Sequence, residues 1–356
     1  MKTKESMKII LNKQQLTNAF IMLIPALIFI FILPGKTTEK NTLQIFDVFD
    51  TYSEITITGK KNADSVLEEC NRYLHEKDTQ WSHTNTESEI HLLNSRSGKE
   101  SSSLSADTVE ILKKGKEASV FTNGYFDITV GAAVDLWGIG TDDEKVPAEE
   151  EISEVIHKIG NSFLEIGENS AYIQKEGVSV TLGAIAKGFA TDELVKILKK
   201  HNVTSALLNL GGNIYALGND QNGEAWKIGI QDPIDAGKLI CTLKAYDTSV
   251  VTSGSYQRYF EKDGIKYHHI INPFTGMPAK SGLTSVTIVS PDATLADVLS
   301  TACFVIGFDE GASLVKELGA MAVFVTENNT VYYSDGLESL IEYDNPGYEY
   351  KKININ

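Results

Sequence analysis

Asp297 and Thr301 stand four residues apart in ATLADVLSTA (293–302), so on a helix their side-chain oxygens point the same way. A carboxylate and a hydroxyl are hard donors of the kind Mg²⁺ takes, with water and phosphate completing its shell. The bland alternative is an Asp bonded to the helix start and a Thr bonded back along its own helix. In YHHIINPFTG (267–276), His268 and His269 are adjacent, and neighbours on a strand face opposite ways. They cannot easily share one ion, but one could serve as base or donor while the other is structural or exposed. A serine hydrolase is excluded, because no G-x-S-x-G surrounds the G-S-Y of residues 254–256.

The stretch TLGAIAKGFATDELVKILKK (181–200) runs from a strand-like end through Gly183, Lys187 and Gly188 into a helical pattern. A helix N-terminus offers unpaired N–H groups and a positive dipole end, which suit an anion. The spacing is neither the G-x-x-x-x-G-K-[ST] nor the G-x-G-x-x-G phosphate loop. Three more small-residue turns follow apolar runs: LGGNIYALG (210–218), TSGSYQR (252–258) and INPFTGMP (271–278). One such turn is ordinary hairpin chemistry. Four suggest backbone N–H groups converging on a large polar ligand. GYFDITVGAAVDLWGIG (124–140) adds Asp127 and Trp137, read either as core aromatics or as an aromatic-lined pocket for a flat ring.

These residues need elements to position them. Alternation over 44–59 predicts a half-buried strand, and the spacing of Val66, Leu67, Cys70 and Leu74 predicts a helix over 62–78. A helix is expected over 106–121, and the acidic stretch 141–160 reads as a solvated loop leading into a surface helix. Short strands are expected near 163–168, 171–176 and 178–182, then the Lys187 helix, then strands near 205–210, 225–233 and 239–254. A strand over 284–290, helices over 293–307 and 309–319, and strands over 322–327 and 330–334 complete the pattern. Strands and helices mix without regular alternation, so the fold class is α+β.

The 356 residues, 42% of them hydrophobic, suffice for one large or two moderate domains. A net charge of −16 argues against a nucleic-acid partner. Cys70, Cys241 and Cys303 are too widely spaced for a zinc site or a disulfide framework, and Cys303 in TACFVIG reads as core. Lys2, Lys4, Lys8 and Lys13 precede an unbroken apolar run at 19–33. That pattern fits a signal or membrane-anchor segment that keeps its start in the cytoplasm and sends the rest outward. The expected organisation is therefore 1–40 as signal or anchor and linker, 41–345 as the working domain, and 346–356 as a tail.

Taken in order, SEIHLLNS, GYFDITVG with LWGIG, LGAIAKGFATD, LNLGGNI, WKIGIQDP, TSGSYQRYF, YHHIINPFTG and ADVLSTACFVIG resemble the ApbE family of FAD:protein FMN transferases. The resemblance runs from about residue 47 to 336. It implies mixed sheets with flanking helices and an FAD cleft between two lobes. It also implies Mg²⁺, with FAD as substrate, and transfer of FMN to a Thr or Ser hydroxyl of an exported electron-transfer protein, releasing AMP. The protein would act on the outer face of the cytoplasmic membrane, anchored there or secreted after signal cleavage. Carried over by position, the metal ligands are the Ala184 carbonyl and the Asp297 and Thr301 side chains. The nucleotide would contact Phe49, where the family more often has Met, together with Tyr125, Phe126, Asp127, Lys187 and Ile271. Gly211, Gly212, Asn213 and Ser253 would line the same cleft, and His269 and Asp297 would be catalytic. The family commonly reads D-L-G-G-I-A-K-G, so Thr181 and Ala184 are departures, and Thr181 would replace an Asp contact to the nucleotide. Asn272, where the family often has Asp, is a milder one. Water in place of the acceptor would make an FAD pyrophosphatase, and a site without turnover an exported flavin-binding protein.

Overall fold

A computed structural model describes residues 40–354; the apolar run at 19–33 lies outside the described residues. The frame is a nine-stranded sheet. Its strands, in spatial order, are β1 (Lys40–Val48), β2 (Thr51–Thr58), β6 (Ala206–Leu210), β7 (Asn213–Leu217), β10 (Thr248–Gly254), β15 (Leu283–Ser290), β16 (Met321–Thr326), β17 (Thr330–Tyr333) and β19 (Glu349–Lys352). All neighbours are antiparallel except β17 and β19. Two three-stranded sheets accompany it: β3 (Ser102–Ser103), β5 (Ser170–Ile173) and β4 (Leu164–Ile166); and β18 (Ile341–Tyr343), β9 (Leu239–Ala245) and β8 (Trp226–Gln231). Two hairpins, β11 (Tyr259–Lys262) with β12 (Ile265–His268) and β13 (Ile271–Asn272) with β14 (Met277–Pro278), complete the strands. The helices are α1 (Asp64–Trp81), α2 (Glu89–Ser95), α3 (Ala106–Phe121), α4 (Gly131–Trp137), α5 (Glu149–Ile156), α6 (Ala186–Lys200), α7 (Ala293–Ile306) and α8 (Phe308–Glu317). The class is α+β, as expected.

Both faces of the sheet are covered at its central strands β6, β7, β15 and β16, which explains why these read as nearly continuous apolar runs. Successive residues point to opposite faces. Tyr215 and Leu217 join the cluster formed with α1, α3 and α6, while Ile214 and Ala216 pack against β8 and β9. Likewise Ile288 and Phe324 pack under α7 and α8, whereas Val289 and Val323 face the smaller sheet. Helix α7 is therefore apolar nearly all round, with Asp297 and Ser300 among its buried residues.

Three expectations are corrected. The single strand over 44–59 is a hairpin, broken at Phe49 and Asp50, both with positive φ (54° and 51°). That conformation costs a non-glycine residue about 1–2 kcal/mol. Here the Phe49 N–H donates to Asp78 Oδ1 at 2.8 Å, and the Phe49 ring stacks on Trp81. Residues 178–182 do not form a strand, apart from one bridge between Ser179 and Val130. The backbone of Val180 is satisfied by a side chain instead: the Asn94 amide accepts its N–H at 2.7 Å and donates to its carbonyl at 2.8 Å. Finally, the segment expected as a tail contributes β19, which extends the main sheet.

Candidate active site

Helices α6 and α7 cross at Gly188. A Cβ there would lie 2.4 Å from the Ala293 carbonyl oxygen and 2.7 Å from Asp297 Cβ, so only glycine permits this approach. The Gly188 N–H is among the donors left unpaired in the first turn of α6, and it donates to Asp297 Oδ2 at 2.9 Å. In return, Asp192 on α6 accepts from the Ala293 and Thr294 N–H groups at 2.9 Å and from the Thr294 hydroxyl. Asp292 caps α7 through the Leu295 N–H. Each helix start is thus held by a carboxylate of the other helix. The sequence pattern assigns Asp192 in LGAIAKGFATD no role; its signal is a carboxylate in the second turn of the helix, one turn beyond Gly188.

Asp297 is 3% exposed and has no Lys, Arg or His partner among the described residues. A buried carboxylate in that position calls for a cation. Thr301, one turn along α7, has its Oγ1 3.3 Å from Ser253 Oγ, which also meets Ser300 Oγ at 2.8 Å. The Ala184 carbonyl lies in the turn just before α6, and the Gly188 N–H, four residues on, is committed to Asp297 rather than to it. One carboxylate, one hydroxyl and one carbonyl would make a hard, oxygen-only donor set, of the kind that suits Mg²⁺ and not a softer metal. No group of three or more His, Cys, Asp or Glu side chains suited to a metal occurs among the described residues. A magnesium site of this kind does not require one.

Lys187, half-buried, is held by the Gly183 carbonyl at 3.2 Å. The Thr181 N–H pairs with Ile128 O, and its hydroxyl lies 3.5 Å from the Gly183 N–H. Gly211 and Gly212 take φ of +59° and +89°; a Cβ on Gly211 would strike Thr51, whereas Gly212 opens onto free space. Asn213 is 1% exposed, and its Nδ2 has no partner. Ile271 is buried beside Ala133 and Trp137. The aromatic stretch divides. Tyr125 makes an edge contact with the exposed Phe274 at 5.0 Å. Phe126 is buried in the core, and Asp127 turns inward to Thr129 and Asn161. Trp137 is likewise core, its Nε1 donating to Gly276 O at 2.7 Å, so it anchors the INPFTG turn rather than lining a pocket.

The two histidines have different surroundings, His268 ending β12 and His269 lying just beyond it. His268 is buried, with Nε2 donating to Ala279 O and its ring edge-on to Phe304. His269 is half-buried, and the Arg258 carbonyl accepts both its N–H (3.1 Å) and its Nδ1–H (3.2 Å). A carbonyl only accepts, so the proton sits on Nδ1 and Nε2 presents a lone pair. Desolvation, with the Arg258 guanidinium beside it, pushes the His269 imidazole down from 6.5 to about 3. Unfolded, the same ring takes up a proton near pH 6.5, so acidification below that value favours the unfolded chain. His83 acts in the opposite sense, since its bond to Asp135 holds its imidazole above the ordinary value. Thermal unfolding of His269→Gln should therefore be less sensitive to a fall from pH 7 to 5 than that of the wild type. Equal sensitivities would show that His269 titrates normally in the folded chain.

Against known proteins, residues 49–325 match a family model described as the ApbE family. The FAD:protein FMN transferase of Treponema pallidum (strain Nichols) is 34% identical over 323 residues, covering 85% of this chain and 89% of that protein. The solved ApbE protein of Thermotoga maritima MSB8 has a TM-score of 0.79 at 31% identity, covering 85% of this chain and 99% of its own. The flavin transferase ApbE from Vibrio cholerae has a TM-score of 0.78 at 26% identity, covering 85% and 100%.

Proposed function

Because this chain belongs to the ApbE family, we propose that it is an FAD:protein FMN transferase, and that it is Mg²⁺-dependent, with a Thr or Ser hydroxyl of an exported electron-transfer protein as acceptor. The observation that carries the chemistry is the buried Asp297, without a cationic partner among the described residues, one turn from Thr301 and bonded to the N-terminal turn of α6. The Ala184 carbonyl, Asp297 and Thr301 would hold the ion, which when bound neutralises phosphate oxygens. Lys187 and the first turn of α6 favour the same negative charge.

In the proposed transfer, the acceptor oxygen forms a bond to the FMN phosphorus while the bond from that phosphorus to the AMP phosphate oxygen breaks. The electron pair leaves with AMP. The hydroxyl proton goes to His269 Nε2, whose lone pair is fixed by the Nδ1–H bond to Arg258 O, once phosphate charge from the dinucleotide offsets the Arg258 guanidinium and raises this imidazole from about 3. Such chemistry depends mainly on positioning and countercharge, which is what the interlocked helices supply. The basic residues before the apolar run at 19–33 support an acceptor met outside the cytoplasm, with the enzyme at the membrane.

The test is to mix residues 40–356 with FAD, Mg²⁺ and a candidate acceptor domain, then view a denaturing gel under flavin fluorescence. A fluorescent acceptor band, lost with EDTA, is expected. Release of free FMN and AMP without a band would make the protein an FAD pyrophosphatase, and bound FAD without either product a flavin carrier.

A further inference from the structure

Arg258 closes the turn TSGSYQR and joins three segments that are remote in sequence. Its carbonyl accepts both His269 donors. Its side-chain stem lies 4.0 Å from where a Cβ on Gly140 would sit, against the LWGIG turn. Its Nη2 donates to the Asp50 carbonyl at 3.0 Å, at the strained turn that carries Phe49. Among the described residues Arg96 pairs with Glu100, but Arg258 has no carboxylate within ion-pair distance. In a chain of net charge −16, an unpaired guanidinium beside the proton-accepting face of the site is a countercharge waiting for an anion.

We propose that Arg258 is a further catalytic residue, its remaining N–H donors binding a phosphate of the dinucleotide and stabilising the charge that passes to the departing AMP. This rests on the FAD-transfer reading. A guanidinium presents five donors in a fixed fork, and among the described residues its one protein acceptor is Asp50 O. The fork matches phosphate oxygens, whereas the riboflavin portion offers no anion to grip.

Equilibrium binding of FAD, ADP and riboflavin to the wild type, Arg258→Gln and Arg258→Lys tests this without turnover. Arg258→Gln should weaken FAD and ADP by at least about tenfold while changing riboflavin by less than about twofold. Arg258→Lys should recover most of the loss. Unchanged riboflavin affinity also reports that the variant is folded. Equal weakening of FAD and riboflavin would mean that Arg258 only staples the Asp50 turn, and would overturn the assignment. So would an unchanged FAD affinity in a wild type that binds FAD normally, which leaves the transferase reading standing. A wild type that binds neither FAD nor ADP would sink both.

Discussion

Asp297→Ala should lower FMN transfer by roughly 10³-fold or more, since the ion and the placement of the phosphates are lost together and several kcal/mol of transition-state stabilisation go with them. The substitution also removes the acceptor of the Gly188 N–H, and a buried donor left unpaired costs about 1–3 kcal/mol. Asp297→Asn separates the two effects. Its amide oxygen can still accept the Gly188 N–H, so melting temperature should stay close to the wild type while turnover falls. Rates for both variants and thermal unfolding of both provide the comparison. Wild-type turnover by Asp297→Ala in excess Mg²⁺ would show that this carboxylate is no metal ligand.

Gly188→Ala carries the second large effect, on stability. The added methyl would meet the Ala293 carbonyl oxygen at 2.4 Å and Thr294 Cα at 2.9 Å, both main-chain atoms that cannot rotate away. Overpacking of this kind costs about 1–3 kcal/mol, and two rigid backbones place this site at the upper end. Parting α6 from α7 would also lengthen the bond to Asp297, so affinity for FAD should fall as well. Gly183→Ala is the control, because its nearest neighbour is 3.8 Å away and its backbone is ordinary. Its unfolding should lie within about 0.5 kcal/mol of the wild type. Equal stability of the two variants would mean that the helices are not in close contact at Gly188.

The helices that build the site were legible because their signals are local. Gly188, Lys187 and the pair Asp297 and Thr301 all stand inside patterns that a single turn of helix explains. Strands buried on both faces were also legible as apolar runs, although not which face each residue takes. What the sequence concealed depends on distant partners. No glycine or Asn-Gly pair announces the break at Phe49 and Asp50; Asp78, Trp81 and Arg258 hold it. Residues 178–182 have the composition of a strand, but the backbone of Val180 is claimed by Asn94. Nothing in the turn TSGSYQR marks out Arg258, because its partner Asp50 lies 208 residues away.

The bond between Gly188 and Asp297 joins residues 109 apart. Closing so long a loop carries an entropy cost that local helix formation cannot meet, so Asp297 reaches the start of α6 only when the strands between them have paired. Neither half of the chain holds the set alone. A ligand that recognises this arrangement will bind the native state and ignore the denatured one, and above its dissociation constant will raise the melting temperature with the logarithm of its concentration. The substrate thereby becomes a folding sensor, and chains that have not finished folding are kept out of the reaction.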